Sequence, residues 1–373
     1  MRFSFTVHRL LARAALSAGM LFAWVMLFVW ELEHTQSLTV ALSETAFAYA
    51  LSQIVLILLA PWAGRLYAHG AIRVMVTAML FLAGALVGLG VALQGGFAPV
   101  WGLITFALFA GAYRALYATP FALVQHDMHE ERYWFDIALA YIPLLVGLVL
   151  TQQVIHESAL LFAAAACAVL AIVPLVRFEA YEKYEWSYRE TFGMLLEPAH
   201  RAFVAHSFVR GIEGAALFFA WPLFVFIILG QSYLALGLVY SVTAFLLIAL
   251  RLAAPEKPII STPLMAATVT GASWLARIVA VGPLAIIGLQ VVGSGIEQRR
   301  MHEHIVSDHF ADGGTFLDEL TTLKEVSLAG GRLVFALFFA LVLQLYTPAW
   351  ALGLTFVLAA VAGAVASYKA TTR

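Results

Sequence analysis

Charged side chains inside otherwise apolar stretches are the residues of this sequence with types and spacing suited to chemistry. Arg210 and Glu213 lie three residues apart and therefore share one face of a helix. A charge in the middle of a bilayer costs about 2.5–3.5 kcal/mol, so such groups normally face a cavity or a partner charge. If the helix enters a membrane near Ala202, Glu213 lies about 16 Å deep. The pair is either a substrate-binding or proton-coupling carboxylate beside a cation, or a structural ion pair that locks the helix to a neighbour.

Three further charges and one aromatic residue interrupt the apolar segments. Arg114 lies nearer the inner end of its segment, where it either snorkels to the membrane surface or faces a cavity as a counter-ion. Glu325 and Arg332 are seven residues apart on one helix face, and they form either an inner-gate ion pair or a static pair at a helix end. Trp221 follows Glu213 by two turns, and the proline after it can kink the helix, so we consider it a candidate solute contact.

Histidine clusters are the remaining candidates for metal chemistry. Three histidines and Asp308 in the segment 301–309 either bind a divalent ion such as Zn²⁺ or belong to a solvated loop. Their spacing matches no recognised site, so we expect the solvated loop, and the same holds for His126 and His129. The single cysteine, Cys167, excludes an intrachain disulfide and argues against a metal–thiolate cluster. We therefore expect neither a metal nor a cofactor.

The composition indicates what kind of element must position these charges. The chain has 373 residues, of which 63% are hydrophobic and 12% charged, and its mean hydropathy is +0.91. Soluble domains are about 45–50% apolar and about 25% charged. No water-soluble fold of this length could bury so much apolar surface. The net charge of −1 gives no overall attraction to nucleic acid, so no nucleic-acid partner is expected.

Apolar segments long enough to cross a bilayer recur along the whole chain. A membrane-spanning helix needs about 20 mainly apolar residues. The ninth and tenth candidates share one apolar block that is divided only near Gly282 and Pro283, so they are either two helices or an irregular pair. The twelve predicted spans are 12–30, 41–62, 72–93, 99–121, 134–155, 158–176, 202–229, 232–251, 259–278, 281–297, 326–345 and 348–368.

One polar segment divides these spans into two groups of six. Arg177 to Arg201 carries 9 charges in 25 residues, which is three times the density of the whole chain. We therefore predict an N-terminal six-helix bundle over 1–176, a cytoplasmic linker over 177–201 and a C-terminal six-helix bundle over 202–373.

The distribution of basic residues predicts the orientation. With the N-terminus inside, 18 of the 21 Lys and Arg residues fall in inner loops or at the inner ends of spans. The other three are Arg210, Arg277 and Arg332, and we expect Arg277 to anchor the end of a helix. Both termini are predicted to be cytoplasmic, in a multi-pass protein of the cytoplasmic (inner) membrane.

Six helices, a charged inner linker and six more helices resemble the plan of the major facilitator superfamily. After the second span the chain reads PWAGRLYAHGAIR, and its Gly64, Gly70 and Arg73 resemble the inner-loop motif of that family. The segments that begin at Phe208 and Leu323 look like the family's seventh and eleventh helices. The resemblance implies an all-α membrane fold of two pseudo-symmetric six-helix bundles. It also implies a gating role for the inner-loop motif and for Glu325 and Arg332.

Three functions compete on this basis. The resemblance implies a secondary active transporter that moves a small solute by alternating access, with H⁺ as the expected coupling ion and a monomer as the expected state. The alternatives are a transporter-like sensor or assembly protein without transport, and an intramembrane transferase. The sequence contains no G-x-x-x-x-G-K-[ST] loop, which argues against ATP-driven pumping by this chain. A transferase needs a nucleophile, base or metal converging from several helices, and we expect no enzyme here.

Overall fold

The computed structural model describes residues 2–67, 70–95, 99–127, 133–177, 186–253, 262–280, 282–301 and 317–371, and the regular structure within these ranges is helical. The α-helices are α1 Arg2–Ala15, α2 Leu21–Thr35, α3 Leu38–Tyr67, α4 Ala71–Leu93, α5 Pro99–Asp127, α6 Tyr133–Ala140, α7 Ile142–Thr151, α8 Glu157–Leu170, α9 Tyr188–Met194, α10 Arg201–Ala215, α11 Trp221–Ile228, α12 Tyr233–Ala253, α13 Pro263–Ile278, α14 Pro283–Met301, α15 Leu317–Leu345 and α16 Pro348–Thr371.

The predicted spans coincide with these helices. Within the described ranges, nine helical segments are long and apolar enough to cross a membrane. The predicted fifth, ninth and tenth spans correspond to shorter helices, namely α6–α7, α13 and α14. The first span starts at Ser4 rather than at residue 12, because the helix continues beyond its apolar core through a basic first turn. Gly282, with φ +94°, precedes α14, so the block 259–297 forms two helices.

Two spans contain a π-helical segment at matching positions. Leu16–Met20 joins α1 to α2, and Ala216–Ala220 joins α10 to α11. A π turn holds one residue more than an α turn, so it changes the face on which all following side chains lie. In the first segment Gly19 is required by packing, because a Cβ there would lie 2.9 Å from Leu86 of α4 and 3.1 Å from Ala164 of α8. These segments set the direction of the aromatic residues that follow.

Glycines allow helix backbones to touch where the chain before residue 177 meets the chain after residue 201. A Cβ on Gly147 of α7 would strike the carbonyl of Tyr233, and a Cβ on Gly237 of α12 would strike the carbonyl of Pro143. The Leu144 amide also donates to Ser241 Oγ at 2.9 Å. Small residues at such contacts are what close helix packing in a bilayer requires.

The linker contains a short helix that packs against both groups of spans. Ser187 and Glu190 form a capping box at the start of α9. Phe192 and the nearby Leu195 pack on an apolar cluster that includes residues of α3, α5 and α15. The Tyr188 hydroxyl donates to the carbonyl of Leu58 in α3 at 3.2 Å. Residues 178–185 of the predicted linker lie outside the described residues, and the division at 177–201 remains a prediction.

The two groups of spans are joined at both ends of the bundle. At the predicted outer end, the Tyr233 hydroxyl of α12 donates to Glu157 Oε1 of α8 at 2.6 Å. Gln344 Nε2 of α15 and Ser43 Oγ of α3 lie 3.4 Å apart at that end as well. At the predicted inner end, the hydroxyls of Thr119 and Thr322 lie 3.4 Å apart. The two groups of spans therefore contact each other at both predicted ends.

Candidate functional site

Glu325 connects the two groups of spans by its charge. Its Oε2 lies 3.8 Å from Arg114 Nε of α5 and 4.0 Å from Arg332 Nη1 of α15. The contact with Arg332 joins residues two turns apart on one helix, as the spacing predicted. The contact with Arg114 joins the spans before residue 177 to those after residue 201, which we call the first and second halves. The sequence analysis did not predict this contact. The Arg332 side chain is 6% exposed and that of Arg114 is 40% exposed, so Arg114 is the more exposed partner.

One more cation, Lys324, lies close to this carboxylate. Lys324 is within electrostatic reach of Glu325, Arg210 and Arg332. Arg332 also passes close to α10, since its Nε lies 4.0 Å from the position that a Cβ on Gly214 would take. The Arg332 guanidinium thus lies beside Gly214, the residue that follows Glu213. The sequence analysis missed Lys324 as a site residue because it was assigned to an inner loop.

The side chain of Glu213 points towards other helices of the second half. Its Oε1 accepts a hydrogen bond from Trp274 Nε1 of α13 at 3.2 Å, and its Oε2 lies 4.0 Å from Arg210 Nη1. A Cβ on Gly363 of α16 would lie 2.8 Å from Oε1, so α16 also borders the carboxylate. Glu213 is 8% exposed, and Oε2 accepts no hydrogen bond from the described residues. Arg210 and Glu213 are therefore together, next to but separate from the group formed by Arg114, Glu325 and Arg332.

Trp221 lies on the same side of its span as Glu213 and contacts a buried cation. The Arg277 guanidinium lies 3.9 Å from the Trp274 ring centroid and 4.8 Å from that of Trp221. The Trp221 indole donates to Gln290 of α14. Arg277 lies in the last turn of α13, where a helix-end anchor was expected, but it is only 1% exposed. The three-residue spacing from Trp274 is the sequence signal that could have indicated a paired rather than a solvated arginine.

Five aromatic rings meet between the two halves, and we call them the central aromatic cluster: Trp24, Tyr49, Phe106, Phe219 and Phe339. Tyr49 and Phe219 are stacked with centroids 4.4 Å apart and an interplanar angle of 15°. Trp24 meets both of them edge-on, at 5.2 Å and 5.9 Å. All five side chains are buried.

The central aromatic cluster adjoins the charged group. Tyr49 lies within electrostatic reach of Arg332 and Arg114. The sequence analysis named none of these five rings as a site residue. The direction of Phe219 depends on the π-helical segment that contains it, and no sequence pattern indicated that segment.

The inner-loop glycine motif lies at the ends of α3 and α4. Gly64 is buried in the last turns of α3, and Gly70 precedes α4 with φ +148°, a value that favours glycine. Arg73 is exposed, and residues 68–69 lie outside the described residues. Close by, Arg65 contributes to lowering the pKa of Glu190 in the linker, although the hydrogen bonds from the Ser187 backbone and side chain are the larger causes. The motif thus lies next to the linker helix, and its gating role remains a prediction.

Most of the histidines considered as metal ligands lie outside the part of the chain that the structure describes. Residues 302–309 and His129 lie outside the described residues, and so does the side chain of His126. Within the part of the chain that is described, three or more His, Cys, Asp or Glu residues nowhere form a group able to hold a metal ion.

Comparisons with known proteins establish the fold. No protein-family profile matches the sequence, and no curated protein matches it. Among solved structures, the human organic anion transporter MFSD10 (TETRAN) matches with a TM-score of 0.58 and 12% sequence identity, over 99% of this chain and 98% of that one. The chain therefore shares the fold of that transporter, and the predicted all-α membrane fold is confirmed.

Proposed function

We propose that this chain is a secondary active transporter, which moves a small solute by alternating access around a site between its two halves. The carrying observation is that Glu325 of α15 pairs with Arg114 of the first half and Arg332 of the second. In transporters with repeated halves, the site lies near the midplane between the repeats. Glu325 lies near the inner end of α15, at the edge of such a site, and its contact with Arg114 must change when the halves rock.

Glu325 suits a gate because it keeps a partner when the gate opens. If the halves separate at the inner end, the contact with Arg114 breaks while the contact with Arg332, on the same helix, remains. A buried carboxylate that lost every partner would be strongly destabilised, so the second arginine lowers the barrier to opening. Arg114 is partly exposed, and water can therefore solvate it after the pair has separated.

Glu213 is the carboxylate we propose for proton coupling. One of its oxygens is held by Trp274, whereas the other faces Arg210 at 4.0 Å without a hydrogen bond from the described residues. A carboxylate with one oxygen fixed can gain or lose a proton at the other without a change of rotamer. Because Arg332 lies against Gly214, a movement of the gate changes the field at Glu213.

The orientation and setting belong to the same proposal. Both termini lie in the cytoplasm and the membrane is the cytoplasmic one, which is supported by the 18 of 21 basic residues at predicted inner positions. We propose a monomer that carries out transport without a chemical reaction. H⁺ is the coupling ion.

Alternating access can be tested without knowing the solute. In a Cys167→Ala background, Phe219→Cys places a thiol in the central aromatic cluster, where it is buried in the closed state. A membrane-impermeant maleimide should label it from either side of sealed vesicles, slowly in both cases. Adding Glu325→Gln should raise the rate from the cytoplasmic side several-fold, because the inner contact is weakened. Adding Arg201→Gln, a charge removal at an exposed residue, is the matched control and should leave both rates unchanged.

Two results would contradict the proposal. Labelling from one side only, in every variant, would show that the centre does not alternate between the two faces. Equal acceleration by Glu325→Gln and Arg201→Gln would show that Glu325 is not part of a gate. For coupling, Glu213→Gln should abolish proton-driven accumulation while solute exchange continues, and unchanged accumulation would remove Glu213 from the mechanism.

A further inference from the structure

We propose that the site between the halves binds an organic anion that carries a flat aromatic body. The inference rests on the proposed function, since it names the class of solute for the same site. It is carried by the central aromatic cluster together with Arg114 and Arg332, which lie about two helical turns from the cluster members Phe106 and Phe339 on the same helices.

The shape of the site indicates a flat ligand. Tyr49 belongs to the first half and Phe219 to the second, and their rings are nearly parallel, with centroids 4.4 Å apart. When the halves rock, these two rings separate, and a planar ring can then stack on either of them. Trp24 is edge-on to both rings and Phe106 is edge-on to Trp24, so the sides of such a slot are aromatic as well. Offset stacking and edge-to-face contacts are the arrangements that aromatic pairs prefer.

The charges beside the rings indicate the sign of the ligand. Arg114 and Arg332 lie within electrostatic reach of Tyr49, and Lys324 and Arg210 lie next along the same group. Two carboxylates face these four cations. Glu325 is already shared between two arginines, and Glu213 points towards α13 and α16. The immediate surroundings of the rings therefore carry an excess of positive charge.

Other carboxylates of α15 do not cancel this excess at the rings. Asp318 and Glu319 are buried near the inner end of α15. They precede Arg332 by 14 and 13 residues, which corresponds to a distance of roughly 20 Å along the helix. Aromatic faces alone would also attract a cation. Arg114 and Arg332 oppose that choice, because both are within electrostatic reach of Tyr49 and would repel a cation in the slot.

An anion would also act on the gate. Guanidinium groups bind carboxylates and sulfonates through paired hydrogen bonds. A carboxylate placed beside Tyr49 competes with Glu325 for Arg114 and Arg332. Binding of the solute therefore releases the cross-half contact, which couples occupancy to opening. This competition has a specific consequence: removing the negative charge of Glu325 should strengthen anion binding, whereas a purely structural role would weaken it.

The test measures binding to the purified full-length chain by calorimetry, with probes that share one body. The probes are 2-naphthoate, the cation N,N,N-trimethyl-2-naphthylammonium, and cyclohexanecarboxylate as an anion without an aromatic ring. We expect 2-naphthoate to bind at least about tenfold more tightly than either of the others. Arg332→Gln and Phe219→Ala should each weaken it about tenfold, and Glu325→Gln should tighten it. The matched controls are Arg201→Gln and Phe81→Leu, which removes a ring from a pair within the first half, and they should change nothing.

Each other outcome overturns the inference. These outcomes are equal or tighter binding of the cation, no binding of 2-naphthoate, an unchanged affinity in Phe219→Ala, or weaker binding in Glu325→Gln. Circular dichroism and thermal unfolding of each variant show whether it is folded. Failure of the proposed function would look different: 2-naphthoate would bind as expected, but the Phe219→Cys thiol would not alternate between the two faces.

Discussion

At the scale of residues, one carboxylate with two guanidinium partners is the feature on which the site depends. The partners of Glu325 are 211 residues and 7 residues away in the chain. Helical spacing indicated the near one, because residues seven apart share a face. The distant one depends on which spans are neighbours, and no local pattern contains that information. For this reason Arg114 was a candidate in the sequence but its partner was not.

A second residue-scale feature is the glycine that lies against Glu213, and it gives a prediction. Gly363→Ala would place a Cβ 2.8 Å from Glu213 Oε1, so the carboxylate must move and its contact with Trp274 is weakened. We expect a loss of about 1–3 kcal/mol in stability, as for other overpacked sites, and loss of proton-driven accumulation. Thermal unfolding in detergent and a vesicle assay measure the two effects.

Gly214→Ala is the matched control, since a Cβ there lies 4.0 Å from the nearest side-chain atom. It should retain stability and accumulation. If Gly363→Ala behaved in the same way as Gly214→Ala, the close packing around Glu213 would not be needed for stability or proton-driven accumulation.

At the scale of elements, the spans were predictable and their irregularities were not. A bilayer requires about 20 apolar residues with internally paired backbone, and that requirement is visible in composition alone. The π-helical segments Leu16–Met20 and Ala216–Ala220 change the direction of later side chains through a single extra residue per turn. Their sequences, LSAGM and ALFFA, are ordinary helix-forming runs. The central aromatic cluster therefore could not be derived from the spacing of its members.

The linker helix gives the prediction at this scale. Ser187→Ala removes the N-cap of α9, a change that costs about 1 kcal/mol. We expect α9 to fray and to detach from its apolar cluster. A spin label in place of Leu196, which is 79% exposed, should become more mobile. Ser232→Ala, which removes a comparable cap from α12, is the control and should leave the label unchanged.

Acid should have a similar effect in the unmodified linker. The pKa of Glu190 is lowered by its hydrogen bonds with Ser187. A carboxyl group whose pKa is lowered on folding stabilises the fold above its unfolded value, and this contribution is lost as the pH falls through the lowered value. The label should therefore gain mobility on acidification below the ordinary range of a glutamate. An equally steep response in Glu190→Gln would show that another group is responsible.

At the scale of the whole molecule, the contacts between the halves at both predicted ends lead to a prediction about cross-links. Ser43 and Gln344 meet at the predicted outer end, and Thr119 and Thr322 at the predicted inner end. In a Cys167→Ala background, a cysteine pair at either place should be bridged by a short, reducible reagent with two thiol-reactive groups, because the side chains there meet. Each cross-link alone should stop the alternating labelling of Phe219→Cys, and a reductant should restore it. Proteins that carry only one cysteine of a pair are the controls, and their labelling should not change. Unchanged labelling in both cross-linked proteins would exclude a rocking motion of the halves.

The two π-helical segments, Leu16–Met20 and Ala216–Ala220, differ by 200 in residue number, and this offset relates the first span to the seventh without a gap. It pairs position 13 with position 213. Arg13 is held by Asp136 at 2.9 Å, whereas its counterpart Glu213 is held by Trp274 and Arg210. The two positions therefore carry side chains of opposite charge. Reversing both signs, as in Arg13→Glu with Glu213→Arg, would set a carboxylate beside Asp136 and a guanidinium beside Arg210, so it would not return an equivalent protein.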